Sequence, residues 1–189
     1  MPKSDGLHEL PKSLPIPIDD GACKHLTGLP IPSVPLQSTD GLQVDLAQLS
    51  GITVVYCYPR TGAPDQDVPE GWDLIPGARG CTPQSCSFRD HYQELRQVGV
   101  AQIFGLSTQT SAYQQEAVGR LHLPFPLLSD EKLAFTHALR LPTFDFAGVT
   151  LTKRLTLIID NGKIIHVFYP VFPPDQNAAE VLAWFSKHP

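Results

Sequence analysis

Residues 52–58 read Ile-Thr-Val-Val-Tyr-Cys-Tyr and stop at Pro59. This run is β-prone along its whole length, with little alternation between apolar and polar positions. A strand of that kind has two faces to bury, so it belongs in the middle of a sheet covered on both sides. The chain must therefore supply covering layers before and after this strand.

The residues beyond Pro59 supply them. Residues 60–80, RTGAPDQDVPEGWDLIPGARG, form a long Gly- and Pro-rich loop, and Trp72, Leu74 and Ile75 argue that it is ordered. Phe88, Tyr92, Leu95 and Val98 then recur at helical spacing up to Gly99. Ala101–Leu106 reads as a strand, and Thr110 or Ser111 caps a helix carrying Tyr113, Ala117 and Leu121. A short strand is expected over Pro124–Leu128, then a helix from Ser129 or Asp130 to Leu141, ended by Pro142. Asn161-Gly162 joins Leu155–Asp160 to Lys163–Phe168 as a two-residue hairpin, and a last helix carries Ala179, Leu182 and Phe185. The order β-α-β-α-β-α-β-β-α requires parallel strands first and an antiparallel pair last. It predicts an α/β fold, a mixed sheet flanked by helices, of the thioredoxin-like kind.

Residues 1–37 lack periodicity and are rich in Pro, Gly and charge; they are read as an N-terminal arm, with one domain over 38–189. The net charge of −5 carries no basic block, so neither nucleic acid nor an anionic membrane is an expected partner. No segment approaches the ~20 apolar residues of a membrane span. The N-terminus has no secretory pattern, which gives a cytoplasmic expectation. In that compartment the four cysteines, Cys23, Cys57, Cys81 and Cys86, point to catalysis, redox sensing or metal rather than structural disulfides.

Pro83 fixes where Cys81 sits. Proline inside a helix costs ~3 kcal/mol but is tolerated in the first turn, where N–H groups lack partners. The helix must then start at about Cys81, just past the loop that leaves the central strand. Free N–H groups and the positive helix end there favour a thiolate, the form that attacks a peroxide O–O bond. Arg79 and Arg89 could add positive charge. Cys86 lies five residues on, which in an intact helix separates the Cα atoms by ~8–9 Å. A disulfide needs ~4.4–6.8 Å, so bonding the pair requires the first turns to unwind.

The segment Gly80-Cys-Thr-Pro-Gln-Ser-Cys-Ser-Phe-Arg-Asp90 resembles the peroxiredoxins, in the bacterioferritin comigratory protein or Q-type branch. The likeness extends from about Gly41 to the C-terminus. It takes in Tyr58-Pro59, Gly105-Leu-Ser-Thr108, Leu127-Leu-Ser-Asp130 and Lys153–Asp160 with Gly162-Lys163. This resemblance implies a thiol peroxidase acting on hydrogen peroxide and organic hydroperoxides. Cys81 would be the peroxidatic cysteine, Cys86 the resolving one and Arg154 the arginine that holds the thiolate. A thioredoxin-like dithiol protein would reduce the disulfide. A monomer is implied, although the arm could support a dimer. The family pattern Pro-x-x-x-Thr-x-x-Cys is broken: Ala78 stands where Thr is expected and Leu74 where Pro is. Pro59 keeps the strand-end proline, an insertion comes after it, and Thr61 is the candidate for the missing hydroxyl.

No metal, heme or flavin is expected. A site from Cys81, Cys86 and His91 lacks converging directions and a fourth ligand. Cys57 reads as a core thiol, Cys23 as an exposed spare, and Trp72 as both cover and anchor for the loop. Two other readings stay open. One is a thiol–disulfide oxidoreductase, disfavoured by the four-residue spacing. The other is a redox-sensing or binding protein using the same pair.

Overall fold

The computed structural model describes residues 7–189. In chain order the strands are β1 (Pro35–Ser38), β2 (Gln43–Asp45), β3 (Ile52–Cys57), β4 (Val100–Ser107), β5 (Leu127–Ser129), β6 (Thr143–Phe146), β7 (Val149–Thr152), β8 (Leu155–Asp160) and β9 (Lys163–Phe168). The helices are α1 (Cys81–Asp90), α2 (Tyr92–Gln97), α3 (Ser111–Leu121), α4 (Ala134–Leu139) and α5 (Asn177–Lys187). Seven strands form one sheet in the order β2-β1-β5-β4-β3-β8-β9, and β6 pairs with β7 apart from it. β3, β4 and β5 run parallel, while β8 pairs antiparallel with β3 and with β9.

The central strand is buried on both faces, as its composition requires. Val54, Tyr56 and Tyr58 point to one face, where Phe88, Leu95, Leu121 and Val181 cover them. Val55 and Cys57 point to the other, against Leu26, Leu36, Phe135 and Leu139. The ring of Phe88 stacks on Tyr56 at 4.5 Å between centroids, which anchors α1 to the sheet. The Asn161-Gly162 hairpin forms as expected, with φ of 46° and 77° at the two loop positions.

The N-terminal segment differs from the arm expected over residues 1–37; residues 1–6 lie outside the described residues. From Cys23 onward it covers one face of the sheet, with Leu26, Ile31 and Leu36 buried in the core. The boundary at 37 falls inside β1, which pairs with both β2 and β5. Residues 28–31 bond to the outer strand: Gly28 N–H donates to the Ile164 carbonyl at 2.7 Å and Ile31 N–H to Gly162 at 2.7 Å. The reason is cover. On that face α4 is only six residues long, too short to bury the sheet by itself. Cys23 is accordingly buried, not an exposed spare, and burial pushes its thiol up to about 12.

Two further expectations shift. The helix after Cys81 breaks at His91 into α1 and α2. The helix expected from Ser129 or Asp130 starts later, at Ala134, because the Asp130 carboxylate caps it from a preceding turn. It accepts the N–H groups of Phe135 at 3.0 Å and Thr136 at 2.8 Å. Among the described residues no helix is long and apolar enough to cross a membrane.

Candidate functional site

The long loop between β3 and α1 is ordered by its own apolar residues. Trp72 is buried against Phe146 at 5.0 Å and Phe144 at 6.0 Å, both from the β6–β7 hairpin, with Ala78 and Leu151 beside it. The Arg60 guanidinium lies over the Trp72 ring at 5.7 Å. Trp72 and Arg60 also line a small cavity of about 30 Å³ that reaches Cys81, Gly80 and Thr82. That is room for a molecule of about the size of water. The tryptophan thus anchors the loop and walls the cavity.

At the end of the loop Gly80 takes φ of +105°, and α1 begins at the next residue. A Cβ at position 80 would collide with Pro174 and Leu10. Gly80→Ala is expected to cost about 2–4 kcal/mol, by the left-handed backbone and the overpacking together. A urea titration reads this directly, and a midpoint unchanged from the parent would contradict the argument. Pro83 falls in the first turn of α1, as its missing N–H demands.

Cys81 is 4% exposed. Its sulfur lies 3.7 Å from the Ala78 carbonyl, and Arg154 Nη2 donates to it at 3.3 Å. Arg154 lies immediately before the antiparallel strand β8 and is itself 3% exposed. Its Nε donates to the Gly77 carbonyl at 3.3 Å, and Nη2 also donates to Ala78 and Arg79 at 3.1 Å each. Nη1 donates to Gln84 Oε1. Every one of these hydrogen-bond acceptors other than sulfur is neutral. A buried cation is costly unless an anion or several dipoles face it. Here the turn 77–79 supplies the dipoles, and Cys81 supplies the one nearby atom among these partners that can become an anion.

Cys86 sits on the same helix, half-buried and unbonded to Cys81. Burial pushes its thiol up, and the nearby Arg89 guanidinium pulls against that. Thr61 is buried, but its hydroxyl donates to Gln109 Oε1 at 3.2 Å, and its carbonyl accepts from Tyr113 at 3.2 Å. The Thr61 hydroxyl is therefore engaged with Gln109, and the hydrogen bonds at the Cys81 sulfur are to the Ala78 carbonyl and from Arg154. Cys57 is fully buried at the end of β3, with its thiol pushed upward by desolvation. His91 Nδ1 lies 2.9 Å from the Ser87 carbonyl at the end of α1. Among the described residues no group of three His, Cys, Asp or Glu side chains could hold a metal.

The residue that sequence reasoning missed is Gln84. It is fully buried between the two cysteines, and its Nε2 donates to Asn177 Oδ1 at 3.0 Å. Asn177, at the start of α5, also accepts from the Thr156 hydroxyl at 2.7 Å. The one signal for it was its place three residues after Cys81, on the same side of the first turn.

Comparison with known proteins agrees with this picture. A family model described as Redoxin matches residues 26–182. The chain is 32% identical over 157 residues to "Peroxiredoxin Q, chloroplastic" of Oryza sativa subsp. japonica, covering 82% of this chain and 64% of that one. It is 32% identical over 162 residues to "Peroxiredoxin Bcp" of Escherichia coli (strain K12), covering 83% of this chain and 93% of that one. The chain thus spans under two thirds of the length of the first plant relatives. Among solved structures, Peroxidoxin BcpB from Mycobacterium tuberculosis superposes with a TM-score of 0.68 at 24% identity, over 86% of this chain and 98% of that one. Xanthomonas campestris Peroxiredoxin Q gives 0.65 at 24%, over 82% and 90%. These structures bear out the thioredoxin-like mixed sheet.

Proposed function

The chain belongs to the redoxin family, with relatives of the peroxiredoxin Q and Bcp type, and from that premise we propose that it is a thiol peroxidase working through Cys81 and Cys86. The observation that carries the reading is the Arg154 guanidinium donating to the Cys81 sulfur at the N-terminus of α1. Such a charge-assisted bond is stronger to a thiolate than to a thiol.

The Cys81 thiolate attacks one oxygen of ROOH, the O–O bond breaks, and RO⁻ takes a proton to leave as ROH. The sulfur is oxidised by two electrons to S–OH while the peroxide is reduced. The Arg154 fork, directed at the sulfur, also suits the charge that develops on the departing oxygen. Cys86 as thiolate then attacks the Cys81 sulfur, the S–O bond breaks, and hydroxide takes a proton to leave as water. Unwinding α1 shortens the gap between the sulfurs. It also exposes Cys86 to solvent, which removes the desolvation that raises its thiol and so increases the fraction present as thiolate. An external dithiol of thioredoxin type reduces the disulfide by exchange.

The small cavity favours hydrogen peroxide and compact hydroperoxides. Thr61 serves this reading as a buttress of the loop through Gln109 rather than as a donor to peroxide. A thiol-reducing compartment such as the cytoplasm suits the four free cysteines. Stopped-flow mixing with stoichiometric hydrogen peroxide tests the whole. Cys81 should oxidise ~10³-fold faster than the same residue in the urea-unfolded chain, followed by a mass loss of about 2 Da for the disulfide. Oxidation no faster than in the unfolded chain would sink the reading.

A further inference from the structure

The cavity at Cys81 takes part of its wall from a segment far from it in sequence. Residues 7–18, LHELPKSLPIPI, hold Pro11, Pro15 and Pro17. Each proline fixes its own φ and pushes the residue before it to extended backbone, so this segment is stiff and unsuited to a helix. It contains neither helix nor strand. Its side chains lie on glycines of the site. A Cβ added at Gly62 would come within 2.7 Å of Leu7 Cδ2, and one at Gly80 within 2.8 Å of Leu10 Cδ2. Pro17 lies against Gly77, 3.6 Å from the place of such a Cβ.

These three glycines border the reactive sulfur. The Gly77 carbonyl accepts from Arg154, Gly80 precedes Cys81, and Gly62 lines the cavity. Gly77 and Gly80 have φ of 79° and 105°, which accounts for glycine there without any neighbour. Gly62 is not among the positive-φ glycines, so its backbone does not call for glycine. The space that a side chain would need at 62 is filled by Leu7. Leu7 also lines the cavity of about 30 Å³ and is itself half-buried, so it stands between that cavity and solvent. Cys81 is 4% exposed, and a peroxide that meets its sulfur does so in this cavity.

We propose that Leu7 is a specificity-determining residue. Seated on Gly62 by the proline-stiffened segment, it closes the solvent side of the cavity and restricts Cys81 to hydrogen peroxide and the smallest alkyl hydroperoxides. This rests on the peroxidase reading above and adds to it the group that sets substrate size. The stretch matched by the redoxin model begins at residue 26, so this wall comes from outside it. A water-sized space has no room for an aromatic ring. Removing the isopropyl group of Leu7 opens that space outward. Leu10 keeps the segment on Gly80, so truncating Leu10 as well frees Leu7 from its seat.

The test compares second-order rates of Cys81 oxidation by hydrogen peroxide and by cumene hydroperoxide, measured by stopped flow and taken as a ratio. A change in thiolate content or folded fraction acts on both rates and cancels. The parent should favour hydrogen peroxide by at least about tenfold, and Leu7→Ala should shift the ratio about tenfold toward cumene hydroperoxide. Leu7→Ala combined with Leu10→Ala should shift it further. Leu7→Met refills the space and should stay within about twofold of the parent. The same wall can be read without peroxide. Alkylation of Cys81 by N-phenylmaleimide relative to iodoacetamide, located by peptide mass, should rise in Leu7→Ala. Fast oxidation of the parent with both ratios unmoved in the double variant would overturn the wall and leave the peroxidase reading standing. A shift in Leu7→Met as large as in Leu7→Ala would also overturn it. A parent that oxidises no faster than the unfolded chain, with the alkylation ratio still raised in Leu7→Ala, would mean that the peroxidase reading had failed while Leu7 still screens the sulfur.

Discussion

Serine in place of Cys81 is expected to abolish peroxide consumption, with a loss of ~10⁴-fold or more in rate. The reason is local. A serine hydroxyl at this helix start is far less acidic and less nucleophilic than a thiol, and the same Arg154 contact does not make up that difference. No other thiol substitutes for it. Cys57 is fully buried at the end of β3, and Cys23 is packed on the same face of the sheet, with its thiol pushed up to about 12. Cys86→Ser separates the steps. The first oxidation should continue, and the sulfenic acid should accumulate as a gain of about 16 Da, moving to about 32 Da in excess peroxide. Intact mass on both variants reads the outcome. Appreciable peroxide consumption by Cys81→Ser would move the chemistry to another residue.

The second large effect is expected at Arg154. Arg154→Met should slow Cys81 oxidation by ~10²–10³-fold, the usual cost of removing a preorganised donor at developing charge. Arg154→Lys should restore little of it. Lysine is a point charge without the planar fork that here reaches Gly77, Ala78, Arg79, Gln84 and Cys81 from one group. Arg154→Met also takes the donor away from the carbonyls of residues 77–79, and a buried acceptor left unsatisfied costs ~1–3 kcal/mol, so an effect on the fold has to be separated from the chemistry. Urea midpoints measured beside the rates make that separation. A rate within threefold of the parent, in a folded Arg154→Met protein, would remove the guanidinium from the reaction.

Much of this site was legible because single residues carry hard steric rules. Pro83 can stand only in a first turn, and it fixed the start of α1 to within a residue. The unalternating Ile52–Tyr58 run required cover on both faces, and Asn161-Gly162 could hardly be other than a hairpin loop. What stayed hidden depends on distant partners. Nothing near Arg154 in sequence shows that three carbonyls from residues 77–79 cradle it. Gln84 looks like a solvated helix residue until α5 is brought against it. The β6–β7 hairpin was missed because its loop holds Ala147 at φ of 50°, a position where glycine or asparagine gives the recognisable signal. The N-terminal segment lacked periodicity because it crosses the core face as irregular chain, and burial without regular structure leaves no period to read.

The bonds from residues 28–31 to residues 162–164 also bear on how the molecule comes into being. A ribosome delivers these two stretches in sequence, with roughly 130 residues between them, so at ~5–20 residues per second the earlier one waits ~7–25 s for its counterpart. Until then the stretch 28–31 has no backbone partner, so its place along the β8–β9 edge is fixed only once the C-terminal hairpin has been made.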